Sequence, residues 1–144
     1  MKTAVEAQFC MRSKYHCRSV KSDEVTLRAI RGATTVEADV AEDISHRVRE
    51  LLTEIFARNE VAHEEVVSVL FTATDDLHSV FPASAAREMG LGDVPLICAR
   101  ELDIVGAVQR CVRVMLHVYS TRTAKELRHV YLHGAANLRD DLPE

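Results

Sequence analysis

The sequence predicts an α+β domain, a mixed β-sheet with one long helix packed on one face. Three stretches predict it. Across "CVRVMLHVYS" (111–120), Val112, Val114, Leu116 and Val118 take one side, while Cys111, Arg113, Met115, His117 and Tyr119 take the other. That is the two-residue period of a strand. Ile44, Val48, Leu51, Leu52, Ile55 and Phe56 recur at spacings of three and four, one apolar stripe on a helix ending near Asn59. "VVSVLFTAT" (66–74) is a run of β-formers continuous enough for a buried strand. Strands and helices interleaved in this order fold as a sheet with the long helix covering one face.

The remaining elements follow in turn. A first strand is expected over about 25–31, with Leu27, Ala29 and Arg31 on one side and Arg28 and Ile30 on the other. Asp39 is the expected N-cap of the long helix, with Glu42 three residues on as in an acidic capping box. "FPASAAREMG" places Pro82 in a helix's first turn and Gly90 just past its end, the signature of a short helix. "VPLICA" reads as a strand at a sheet edge, because Pro95 has no amide for a ladder. "TAKEL" suits one helical turn and "RHVYL" a last short strand. Residues 1–24 are polar and lack periodicity, so a disordered extension is expected there, followed by a single domain over 25–144.

Composition narrows the function classes. The 144 residues are 47% apolar and 28% charged, ordinary values for a globular protein. A formal charge of −4 argues against a general nucleic-acid binder. No apolar run approaches the roughly 18 residues a membrane span needs, and the first residues lack the apolar core of a secretory signal. The four cysteines show no dense spacing, so free thiols in a reducing cytoplasm are expected. Cys10, His16 and Cys17 lack a fourth partner to complete a zinc set, so no metal is expected. With five glycines and no phosphate loop, HExxH or GxSxG, neither a nucleotide cradle nor a nucleophile elbow is in view.

What remains is a set of charged residues on one sheet face. Arg113 sits mid-strand between valines. A buried guanidinium stays charged and demands a partner, either an ion pair to Glu101 or Asp103, an exposed face, or a ligand. Arg31 ends a strand on an apolar side, where it bends to water or waits for an anion. Glu101 lies just beyond the "LICAR" strand, where loops gather function, with Cys98 three residues before it. Tyr131 reaches the same face as Arg113 or packs in the core. His78 suits a turn better than a catalytic base. The face bearing Arg31, Arg113, Met115, His117 and Tyr119 is too apolar for free solvent, and self-association is the economical cover.

Five stretches, "RAIRGATTVE", "TATDDLHSVFPASAAR", "VPLICARELDI", "CVRVMLHV" and "RHVYLHGAANLR", together resemble the AroH class of monofunctional chorismate mutases. They occur in order across about 26–142. The resemblance implies a homotrimer around a barrel-like core with interfacial active sites, and conversion of chorismate to prephenate in phenylalanine and tyrosine synthesis without a cofactor. It implies a site of Arg31, Phe81, Arg87, Cys98, Glu101, Arg113, Tyr131 and Leu138. In it Arg31 and Tyr131 hold a substrate carboxylate, Glu101 and Cys98 contact the ring hydroxyl, and Arg113 faces the breaking ether bond. Phe81, Arg87 and Leu138 close the pocket. Ser84 stands where a lysine can occur and Ile97 where threonine is familiar, departures that bear on substrate affinity. A catalytically silent trimeric module that binds a metabolite is the rival from another class.

Overall fold

The computed structural model describes residues 24–139. The expected extension, apart from residue 24, and the trio Cys10, His16 and Cys17 lie outside the described residues. Strands β1 (Thr26–Thr35), β2 (Val66–Ala73), β3 (Leu96–Arg100), β4 (Cys111–Ser120) and β5 (Val130–Tyr131) form one mixed sheet in the order β3-β2-β4-β1-β5. β4 runs antiparallel to both β1 and β2, while the outer pairs β2–β3 and β1–β5 are parallel. This is the α+β architecture that the periodicities predict.

Helix α1 (Ala41–Asn59) buries Ile44, Val48, Leu51, Leu52 and Ile55 against one sheet face, with Phe56 partly buried beside them. From the strands come Ile30, Val69, Phe71, Val112, Val114, Leu116 and Val118. Each such side chain contributes about 1.5–3 kcal/mol on leaving water. Short helix α2 (Pro82–Ala86) and a wide turn over Arg87–Leu91 finish this layer, and Gly90 closes the turn at φ 96°. Asn59 is buried at the end of α1 with its amide fully used. It donates to the carbonyls of Ile55 and Arg128 and accepts from the Arg128 amide, which ties the helix to the approach to β5.

Three local expectations change, and one further segment takes a form for which no expectation was set. β1 runs on to Thr35 instead of turning after Arg31. A Cβ at Gly32 would lie 2.8 Å from Ile55 and 3.1 Å from Leu51 and Val114, so this glycine lets α1 close on the sheet instead of ending the strand. Asp39 is not the N-cap of α1; that position is Val40, without a side-chain cap. Asp43, inside the first turn, accepts from the Glu37 and Ala38 amides. Asp39 is thereby left to face the 75–81 loop, where it accepts from the His78 and Ser79 amides at 2.9 Å each. These donors, the His78 amide foremost, hold its carboxyl at a pKa of about 2. "TAKEL" makes a turn closed by Glu126 N–H to the Thr123 carbonyl, not a helical element. Finally, "HGAANLR" forms a 3-10 segment, His133–Arg139, which its sequence did not announce.

Pro95 directly precedes edge strand β3, as anticipated. Among the described residues no helix is long and apolar enough to cross a membrane.

Candidate active site

The sheet face turned away from α1 holds the chemistry. Residues directly opposite each other on neighbouring strands share a face, so the register decides which side chains meet. Thr72 on β2 stands opposite Arg113 on β4, which stands opposite Ala33 on β1, which pairs with Tyr131 on β5. One row further along, Leu70, Met115 and Arg31 line up in the same way. These two rows floor a cleft of about 190 Å³ that Glu101 and Leu138 wall at its ends.

Arg113 is pinned within it. Its Nε lies 3.2 Å from Glu101 Oε2, a charge contact whose N–H is not aligned for a hydrogen bond. Thr72 donates its hydroxyl to the same carboxylate oxygen at 2.7 Å, and the Glu101 amide donates to the Ala73 carbonyl. Both the Arg113 and the Thr72 contacts thus fall on Oε2. Behind Arg113, Cys111 is fully buried, and burial pushes its thiol pKa up against the opposing pull of the guanidinium.

Two groups in the cleft are unspent. The Tyr131 hydroxyl is buried and has no hydrogen-bond partner. Such a group costs free energy until something fills it. The Arg31 guanidinium has no carboxylate partner among the described residues, while its amide is fixed by His129 Nδ1 at 3.0 Å. One fixed guanidinium, a second without a carboxylate partner, one carboxylate and one open phenol suit a small anionic ligand that also bears a hydroxyl.

The structure brings Arg31, Glu101, Arg113, Tyr131 and Leu138 to one cleft and sends three other residues of the expected set elsewhere. Cys98 pairs in register with Phe71 and packs on the α1 side of the sheet. With Phe81, 71% exposed at the start of α2, it lines a separate depression of about 640 Å³. Arg87 is exposed at the start of the wide turn and lines neither. His78 pairs with Asp39, Nδ1 to Oδ2 at 3.2 Å, in the turn role expected of it. Thr72 and Leu70 join the cleft without having been singled out in sequence, and Met115 joins it from the face on which the alternation had placed it. The alternation of β4 against β2 was the available signal for them. No group of three or more His, Cys, Asp or Glu side chains among the described residues is placed to hold a metal ion.

Comparison with known proteins agrees with the geometry. The model of the family "Chorismate mutase type I" matches residues 27–142. The chain is 45% identical over 117 residues to chorismate mutase AroH of Bacillus subtilis, covering 81% of this chain and 92% of that protein. It is 47% identical over 118 residues to chorismate mutase AroH of Thermus thermophilus, covering 81% and 96% respectively. A solved chorismate mutase from Clostridium thermocellum superposes with a TM-score of 0.74 at 42% identity, over 75% of this chain and 96% of that one. The chain belongs to the chorismate mutase type I family, a class of isomerases.

Proposed function

We propose that the cleft binds chorismate and rearranges it to prephenate in the synthesis of phenylalanine and tyrosine. The observation that carries this reading is the fixed Arg113 guanidinium, locked mid-sheet by Glu101 and facing a cleft with unsatisfied polar groups. The rearrangement is intramolecular. A carbon–oxygen bond breaks as a carbon–carbon bond forms, with no nucleophile and no net proton transfer. The protein's task is to hold an extended dianion in its compact reactive conformer and to meet the charge that develops on the ether oxygen.

In this reading Arg31 and Tyr131 hold a substrate carboxylate, the open phenol donating the hydrogen bond it lacks within the protein. Glu101 Oε1 accepts from the ring hydroxyl, while Thr72 holds the carboxylate in place through Oε2. Arg113 donates to the ether oxygen. Its strand setting removes reorganisation during the reaction. Leu138 closes one end of the pocket.

Phe81, Arg87 and Cys98 enter the site from an adjacent copy of the chain, in a homotrimer whose sheets surround a barrel-like core. Two observations support this. Phe81 and Cys98 line their own depression on the same protomer, away from Arg113. The cleft-bearing face also leaves Leu27, Ile97 and Tyr119 more than half exposed. Cys98 and Cys111 are free thiols, which supports a reducing cytoplasm as the place of action.

The test follows chorismate's absorbance with purified protein in the presence of chelator, beside light scattering. Saturable turnover by a trimer is expected. Chorismate binding without turnover would favour the silent module, and a fully active monomer would remove the interfacial site.

A further inference from the structure

His133 stands between the two residues that close one side of the cleft, Tyr131 and Leu138, yet its own side chain turns the other way. Its Nε2 lies 2.8 Å from Glu50 Oε2 and 2.7 Å from an Arg47 guanidinium nitrogen, both on α1. Arg47 also reaches Glu50 at 3.2 Å, so the three groups form a closed triangle. Arg47 is the less exposed member, and it approaches Glu37 and Asp43 on its far side.

The backbone of His133 is left-handed, with φ 54°, a region that favours glycine. A non-glycine residue stays there only when its surroundings impose it. Here the triangle holds the side chain, and the flanking backbone is bonded on either side. With Nε2 unprotonated the ring accepts from Arg47, and with Nε2 protonated it donates to Glu50. In either state the ring stays tied to α1. Glu50 carries the mark of this contact, since the His133 hydrogen bond is the leading cause that lowers its carboxyl pKa.

The residues around His133 are fixed as well. The Leu132 amide donates to the Ala33 carbonyl and the Gly134 amide to the Thr35 hydroxyl, both at 2.9 Å. A Cβ on Gly134 would lie 2.9 Å from that hydroxyl, so the segment lies hard against the end of β1. Ala135 is fully buried, and Leu138 packs on the cluster that contains it. The left-handed turn at His133 is the point where the chain changes from β5 to the 3-10 segment, and hence where the angle between Tyr131 and Leu138 is decided.

We propose that His133, held by Arg47 and Glu50, is a positioning residue that sets Tyr131 and Leu138 against the substrate. This rests on the proposed function of the cleft. Helix α1, whose apolar face builds the core, thereby reaches around the sheet edge through its charged flank and shapes the pocket. His133 does not touch the reacting atoms, so it acts on how well substrate is held.

Steady-state kinetics and thermal melts on three variants test it. His133→Gly releases the tie and relieves the left-handed strain at once. Its melting temperature is expected to stay close to that of the parent, with KM raised about three- to tenfold and kcat within about twofold, the pattern of lost uniform binding. His133→Gln should bring KM back towards the parent value, because an amide can accept from Arg47 and donate to Glu50 together. Tyr131→Phe added to His133→Gly should raise KM no further than the larger single effect, since both act through one contact. An unchanged KM in His133→Gly, failure of His133→Gln to rescue, or additive single effects would each overturn the proposal. If His133→Gly fails to fold, the double variant Arg47→Ala with Glu50→Ala removes both partners of the ring and carries the same expectation from the helix side, and a parental KM there overturns the proposal equally. An inactive parent enzyme would strike the chorismate reading instead, and direct binding of chorismate by the same variants then decides the role of His133.

Discussion

The two faces of the sheet are built from the same strands by opposite rules. On the α1 face, every second residue of β4 is a valine or leucine buried among helix side chains. On the other face, the intervening residues include Arg113, Met115 and His117, and the row through Arg113 ends at a hydroxyl with nothing to bond. One face is finished and the other is held incomplete. Their adjacency is what lets the cleft carry unsatisfied groups. The packed side resists the relaxation that would otherwise let Arg113 and Tyr131 find partners within the protein.

Substitutions on the two faces should therefore separate rate from stability. The largest effect is expected from Arg113→Lys, which keeps the charge but loses the rigid planar fork. kcat should fall about a thousandfold, near 4 kcal/mol of barrier, with the melting temperature little moved. A near-parental kcat would take Arg113 out of the chemistry. The mirror experiment is Leu51→Ala beneath the sheet. It should cost about 3 kcal/mol of stability in denaturant melts while leaving KM intact at low temperature. A rise in KM with full stability would mean that the two faces are not independent.

Two smaller effects sharpen the contrast. Thr72→Val removes one of the two contacts that hold Glu101 Oε2 and should lower kcat/KM about tenfold, equivalent to about 1.4 kcal/mol. Asp39→Asn tests a polar clamp remote from the Arg113 cleft. The folded-state pKa of Asp39, about 2, lies below the ordinary 3.8. Its contribution to stability is therefore complete above about pH 4 and lost as pH falls through about 2. The parent should outlast Asp39→Asn in thermal melts at pH 5, and the gap should shrink steadily towards pH 2. A gap that is constant with pH would show that the carboxylate charge is not what matters there.

The residues explain how far the sequence could be read. α1 and β4 are legible because a period near four and a period of two were written in bulky side chains with little interruption. The cleft's centre was legible in part for the same reason. The alternation around Arg113 placed it on a face with Met115, and the turn after β3 pointed to Glu101. The course of β1 past Arg31 was not, because Gly32 read alone suggests a turn, and its actual duty depends on Ile55 and Leu51 across the core. The side on which Cys98 falls was available in principle. Cys98 and Glu101 are three residues apart, which along an extended chain places them on opposite faces. Asp39 looked like a helix cap because local spacing cannot reveal that the His78 and Ser79 amides lie within its reach. The open hydroxyl of Tyr131 had no sequence signal at all, since it is a property of what its neighbours fail to supply.

The order of the strands has a consequence for solubility. The two outermost strands, β3 and β5, have five and two residues, whereas the central β4 and its neighbour β1 have ten each. A free strand edge is a template on which another chain can extend the ladder, and its danger grows with its length. β5 offers only two residues of ladder, and Pro95 guards the approach to β3 with a residue that has no amide hydrogen. The long, strongly β-forming segments are all interior, where their backbone bonds are already satisfied. Ribbon-like propagation is thus disfavoured at both margins by the shortness of β5 and by Pro95 beside β3.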